Sequence, residues 1–311
     1  MIIRGATFVV LAVVLCFSSP AAAADTAEST AGNGHQLCRG EDCRTYTSLA
    51  DAAAKARQGD RLVIAPGTRR EAFHWTACNT TISGKGAHLK GVAYGGKAAL
   101  VIRTAAKCTT TVTGIECSEI AVSDHNGACI RLEGGNLVVR EVYFHDSEEG
   151  ILASRCGSLL VEGSRFERLG SGGRAHGLYV QCNSLTVRNS KILCSKDEGH
   201  GIKSGARRTT IEDFTVIDSQ SCDSSREIDI YCGGQVIIRD SLIRKGPASV
   251  QTTMIGIGKE SKRCDYGGAA IIENNRFVSN SPRRVIAIDS RIPVTGKNVR
   301  KGTFQADRIP R

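Results

Sequence analysis

Seven short runs of this 311-residue chain repeat one pattern: an aliphatic residue, a charge, a polar turn position and an apolar residue five places on. They are Ile115–Ile120, Val139–Phe144, Val161–Phe166, Val187–Ile192, Ile211–Val216, Ile238–Ile243 and Ile272–Phe277. Their first residues lie 24, 22, 26, 24, 27 and 34 positions apart. The second position reads Glu116, Arg140, Glu162, Arg188, Glu212, Arg239 and Glu273, so the sign alternates at every step. Parallel strands stacked about 4.8 Å apart would place each charge between two opposite ones, which is mildly favourable. Helix packing offers no reason for alternation at this spacing. The third position (Glu141, Gly163, Asn189, Asp213, Asp240, Asn274) favours residues that tolerate tight turns. A period of roughly 20–30 residues with short β-rich runs predicts a solenoid.

A second series of copies defines another strand of the repeat. It comprises Glu149-Gly150-Ile151-Leu152-Ala153, Ala175-His176-Gly177-Leu178-Tyr179-Val180, Gly199-His200-Gly201-Ile202-Lys203-Ser204 and Arg226-Glu227-Ile228-Asp229-Ile230. In register, Ile151, Leu178, Ile202 and Ile228 point inward. Leu152, Tyr179, Lys203 and Asp229 then form the outward column, because strand side chains alternate faces. The expected fold is all-β, a right-handed parallel β-helix spanning 45–289.

The first 24 residues carry Arg4, an apolar run from Phe8 to Phe17, then Ser18-Ser19-Pro20 and four alanines. That is the pattern of a signal peptide cut after Ala24. The apolar run is short for a membrane span, and no later segment is longer, so no membrane span is expected. A lead segment, 25–44, follows. Residues 290–311 carry Arg291, Lys297, Arg300, Lys301, Arg308 and Arg311 against Asp307, and are expected to form a basic tail.

Removal of the leader takes Cys16 and leaves twelve of thirteen cysteines. An even count in an exported chain favours disulfides, in a periplasmic or secreted protein. Cys156 and Cys182 each stand five residues before the repeat's first aliphatic position, so adjacent coils bring them within bridging reach, with a column of reduced thiols as the alternative. Cys38 and Cys43 are placed to close a small loop. The formal charge of +10 becomes +9 without Arg4. Spread over ladders, with few aromatic residues, it suits an acidic polysaccharide better than nucleic acid, and a simply solvated basic surface equally well. A monomer is expected.

Between Thr45 and Arg57 a short helix is expected, with Leu49, Ala52, Ala53 and Ala56 on one side and Thr47 or Ser48 as N-cap. It would cover the open end of the solenoid. The stretch SLADAAAKARQGDRLVIAPGT resembles the opening of pectate-lyase-like β-helix proteins. The segments DHNGACIRLEGGNLVVREVYFHDSEEGIL, HGLYV, GHGIKSGA and IDIYCGG resemble the bacterial right-handed β-helix region proteins, over roughly residues 45–290. That resemblance implies the architecture and assigns no reaction. The chain departs from the group's pattern at Gly205, where an arginine is common, and near Cys232.

On such helices the site is expected to be a shallow groove along one face, suited to an extended sugar chain. Gly150, Gly177 and Gly201 are expected to leave a bare strip beside Tyr179 and Lys203. Glu227 and Asp229 would close one end, while Gln181 and Tyr231 share the outward parity. β-Elimination of a uronate needs a base for the C5 proton, a cation on the carboxylate and a donor for the leaving oxygen. Lys203 is the candidate base, Arg226 the carboxylate clamp and Tyr179 the donor. A lysine with an arginine one coil on also resembles alginate- and chondroitin-cleaving β-helix lyases. Alternatively Lys203 is half of a ladder ion pair with Asp229.

His176 and His200 share one slot as substrate-binding candidates, but alternation turns them inward, where a hydrogen-bonded corner histidine is the competing reading. His125 and His145 carry less signal. No cysteine–histidine spacing suggests a metal site. No cofactor is expected, calcium on Asp229, Glu227 and Glu149 being the one candidate. The function classes left open are a lyase or C5-epimerase acting on an acidic polysaccharide, a non-catalytic glycan-binding protein, and a disulfide-stapled structural rod.

Overall fold

Each coil contributes strands to three faces, and each strand bonds to its counterpart one coil away. The computed structural model describes residues 34–260 and 264–310, so the expected signal peptide lies outside the described residues. The first face runs from Arg61–Val63 through Asn136–Arg140 and Gly234–Arg239 to Val294–Thr295. The second runs from Phe73–Trp75 through Ala128–Leu132 and Ile202–Ser204 to Phe304–Gln305. The third runs from Gly67–Arg69 through Tyr143–His145 and Thr215–Ile217 to Val299–Lys301. Pairing within each face is parallel. This is the expected right-handed parallel β-helix.

Side-chain alternation sends one aliphatic column inward from each face. On the second face Ile130, Ile151, Leu178, Ile202, Ile228, Ile255 and Ile288 stand in register. None is more than 3% exposed, and each such burial contributes about 1.5–3 kcal/mol.

On the first face Arg140, Glu162, Arg188, Glu212, Arg239 and Glu273 pair consecutively, as the alternation of sign requires. Glu162 bridges Arg140 and Arg188 at 2.9 and 2.7 Å, and Arg239 reaches Glu212 at 2.6 Å. The turn residues that follow, from Glu141 to Asn274, all adopt left-handed backbone with φ between 46° and 60°. Glu116 is the exception to the expected ladder. Arg140 faces Thr113, and Glu116 faces Tyr143 on the third face. The corner of this coil is made by Gly114, at φ 70°, so the motif at Ile115 lies past the turn. Arg188→Glu should set three acids in a row and cost about 1 kcal/mol at low salt. Added salt should relieve it; an unchanged urea midpoint at low salt would refute the electrostatic role.

The ends differ from the simple expectation of one cap and one tail. Helix Leu49–Lys55 forms, with the Ser48 side chain accepting from the Asp51 N–H and Leu49, Ala52 and Ala53 buried. Strands His35–Arg39 and Asp42–Tyr46 add an antiparallel hairpin, and the first of them pairs antiparallel with Arg61–Val63. At the other end the ladders continue past Asp289, with Val294–Thr295, Val299–Lys301 and Phe304–Gln305 forming another coil. Its periodicity is weak in sequence, because outward-facing positions carry basic residues that blunt the edge and Val299 is 67% exposed.

Six disulfides staple the solenoid: Cys38–Cys43, Cys78–Cys108, Cys117–Cys129, Cys156–Cys182, Cys194–Cys222 and Cys232–Cys264. The pairings expected at Cys156–Cys182 and Cys38–Cys43 both form. Six bridges fit a protein of an oxidising compartment, periplasmic or extracellular. Among the described residues, no helix is long and apolar enough to cross a membrane.

Candidate functional site

The outward column of the second face reads Arg131, Leu152, Tyr179, Lys203, Asp229, Gly256 and Asp289. Lys203 is held on several sides. Its Nζ lies 2.8 Å from Glu260 Oε1, and 5.8 and 5.6 Å from the ring centres of Tyr179 and Tyr231. Cation–π attraction and the ion pair both hold the side chain in place. Gln181 Nε2 donates to Tyr179 Oη at 3.1 Å. Burial, with Tyr179 alongside, raises the Tyr231 phenol above its usual range. The Tyr231 ring lies over Gly205, where an added Cβ would come within 2.2 Å of its hydroxyl. A larger residue at 205 would therefore expel Tyr231, which accounts physically for the glycine.

Beside this column runs a groove built from two adjoining depressions of about 770 and 670 Å³, which share Arg155 and Gln181. Arg103, Arg131, Arg155 and Arg207 line it together with Tyr179, Tyr231 and Tyr266. Arg131 and Arg103 are held by Glu133. Arg155 and Arg207 have no carboxylate partner among the described residues; the Arg207 guanidinium sits over the Tyr266 ring at 4.5 Å. Arg155 occupies a bulge between Ser154 and Cys156, at φ 54°. Bulges re-aim side chains, and this one leaves an arginine exposed at the groove's middle.

The family described as the right handed beta helix region matches residues 75–216 and 128–299. The chain belongs to this family. No curated protein and no solved structure matches it. Membership in the β-helix family gives the architecture, and the chemistry rests on the residues themselves.

The structure separates the sequence candidates. Tyr179 and Lys203 stand together at the groove. Arg226 is near but engaged: its Nη1 lies 3.0 Å from Asp229 Oδ1, and its side chain lies across Gly256. The Lys203–Asp229 ion pair is replaced by Lys203–Glu260 and Arg226–Asp229, with Asp229 fully buried. Gly201 exposes no strip; an added Cβ there would sit 2.6 Å from the Glu227 carbonyl, so the glycines let coils approach. Glu227 is also fully buried, 3.0 Å from buried Lys245.

His176 and His200 do not point into the core as alternation suggested: they are buried at the heads of their strands beside outward-column Tyr179 and Asp229, and they serve the backbone. His176 Nδ1 accepts from the His200 N–H at 3.1 Å, and His200 Nδ1 accepts from the Arg226 N–H at 3.0 Å. Burial, reinforced by the Lys203 charge, depresses His176 to about 3. Burial, the neighbouring His176 and nearby cations likewise lower His200. The calcium set does not assemble. Glu149 heads the strand before His176, three coils from the Arg226-Glu227 position, or about 14 Å at the coil spacing.

The arginines were not visible in the repeats. Arg155 lies on a bulge within strand Glu149–Glu162 and Arg207 on the corner before Arg208–Glu212, where periodicity carries no signal. Arg131 had one: the segment ACIRL aligns with EGILA at an offset of 21.

Proposed function

We propose that this protein binds a uronate-containing acidic polysaccharide along the arginine–tyrosine groove. One observation carries the reading: four guanidiniums line one open trough, and two of them lack a carboxylate partner among the described residues. Guanidiniums make bidentate bonds to carboxylates, and tyrosine faces suit sugar rings. The double charge reversal Arg155→Glu with Arg207→Glu should weaken retention on alginate or pectate at least tenfold. Neutral dextran should show no retention with either protein. Equal retention of wild type and variant on pectate would overturn the reading.

A second reading adds catalysis, because Tyr179, Lys203 and Tyr231 converge beside the groove. A base would take the C5 proton, the C4–O4 bond would break with formation of a C4–C5 double bond, and Tyr179 would protonate the departing oxygen. For Lys203 to be that base it must first lose its proton and its contact with Glu260. Lys203→Ala should then abolish the ultraviolet absorbance of unsaturated sugar ends, and Lys203→Arg should not restore it, since guanidinium stays protonated. Solvent isotope incorporation without cleavage would mark an epimerase. Retention without either signal leaves the binding reading alone.

A further inference from the structure

Glu116 lies three residues past Thr113, the ladder position of its coil, and so stands on the third face between two histidines. His88 pairs across from Glu116, and His145 lies one coil on, across from Ser118. Glu116 Oε1 is 3.0 Å from His145 Nε2 and 3.7 Å from His88 Nδ1. One donor atom from each of the three residues lies within 4.8 Å of the other two.

The outer nitrogen of each ring is already engaged. His145 Nδ1 lies 2.6 Å from Asp146 Oδ2, and His88 Nε2 lies 2.7 Å from Ser118 Oγ. Asp146 is itself fixed by Arg168, whose Nε donates to Asp146 Oδ1 at 2.6 Å. Glu116 Oε1 and His145 Nε2 stand 3.0 Å apart, so a single proton or a metal cation fits between them.

We infer that His88, Glu116 and His145 form a binding site for a divalent transition-metal ion of the zinc type. Bonds of 2.0–2.1 Å to a tetrahedral ion put ligand atoms about 3.3 Å apart, between the two separations found here. Two imidazoles and one carboxylate suit Zn²⁺, Co²⁺ or Ni²⁺ rather than Ca²⁺ or Mg²⁺, which prefer oxygen. Ser118 and Asp146 supply the outer bonds that fix ring orientation at such sites. Tyr143 stacks on His145 at 4.3 Å and further restrains it. The His88 and His145 side chains are 18% and 14% exposed and that of Glu116 42%, so the rings are sheltered while a fourth position faces solvent.

Chelator-treated protein should bind one Zn²⁺ per chain by calorimetry, and Co²⁺ should give the visible absorption of a tetrahedral complex. His88→Gln with His145→Gln should abolish both signals, whereas His125→Gln, at an exposed histidine elsewhere, should change neither. Asp146→Asn keeps all three ligands and should weaken Zn²⁺ about 10–100-fold. Circular dichroism on each variant verifies that the coils remain folded. Absence of stoichiometric Zn²⁺ binding by the wild type, as expected if a proton alone bridges His145 and Glu116, overturns the site. Undiminished binding in the double variant overturns it equally.

Discussion

Lys245→Ala is expected to remove about 3–5 kcal/mol of stability, the usual cost of leaving a buried charge without its partner. Lys245 and Glu227 are both inaccessible to solvent, with Nζ 3.0 Å from Glu227 Oε1. The ammonium also donates to the Ser225 carbonyl at 2.9 Å and to Ser249 Oγ at 2.7 Å. These contacts match its three protons. Burial pushes the Glu227 carboxyl well up, and Lys245 only partly opposes this. Neighbouring Asp218 is also raised by burial. Truncating the lysine strands two carboxyls in the interior, whereas Lys245→Met with Glu227→Gln removes opposite charges together and should recover most of the loss. Urea unfolding of the two single variants and the double gives the coupling directly. A loss below about 1 kcal/mol in Lys245→Ala would contradict a structural ion pair. Because Glu227 does not face the groove, Lys245→Ala should retain pectate binding wherever it remains folded.

The solenoid was legible because stacking imposes the same demand on every coil. The Arg140-to-Glu273 alternation, the left-handed turn residues and the Ile151–Leu178–Ile202–Ile228 column each state the register independently. Where coils depart from the repeat, the sequence misled. Gly114 holds the corner of its coil, so Glu116, three residues past Thr113, reads as a ladder charge although it faces histidines. Parity correctly turned Lys203 and Tyr179 outward, but an outward residue is not thereby an exposed one. Asp229 has the same parity and is sealed by the Arg226 side chain, which lies over Gly256. Glu260 reaches Lys203 from a loop with no place in the period. The groove is built from such bulges, corners and loops, so its arginines leave no periodic trace.

Acid should destabilise the helix through His176, and His176→Asn should remove that part of the effect. The ring's folded value is about 3, set first by burial and then by the Lys203 charge, against about 6.5 unfolded. Above pH 6.5 the ring is neutral in both states and its contribution is fully present. As pH falls toward 3 the unfolded chain takes up a proton that the folded chain refuses, so stability falls. Between pH 6.5 and 4.5 this amounts to about 2–3 kcal/mol. Buried Glu149, Asp218, Glu227 and Asp229 act in the opposite sense: their raised values favour the folded state as pH falls toward the ordinary carboxyl range. Wild type alone therefore gives a mixed profile, and the difference between two proteins is the informative quantity. Asparagine presents Oδ1 where histidine presents Nδ1, so it can still accept the His200 N–H, and it does not titrate. His176→Ala lacks that acceptor and leaves a buried N–H unpaired, which costs about 1–3 kcal/mol at every pH. Thermal midpoints at pH 7 and pH 4.5 should thus converge in His176→Asn relative to wild type, while His176→Ala is lower at both. An Asn variant with the wild-type acid sensitivity would show that the proton refused on folding belongs to another group.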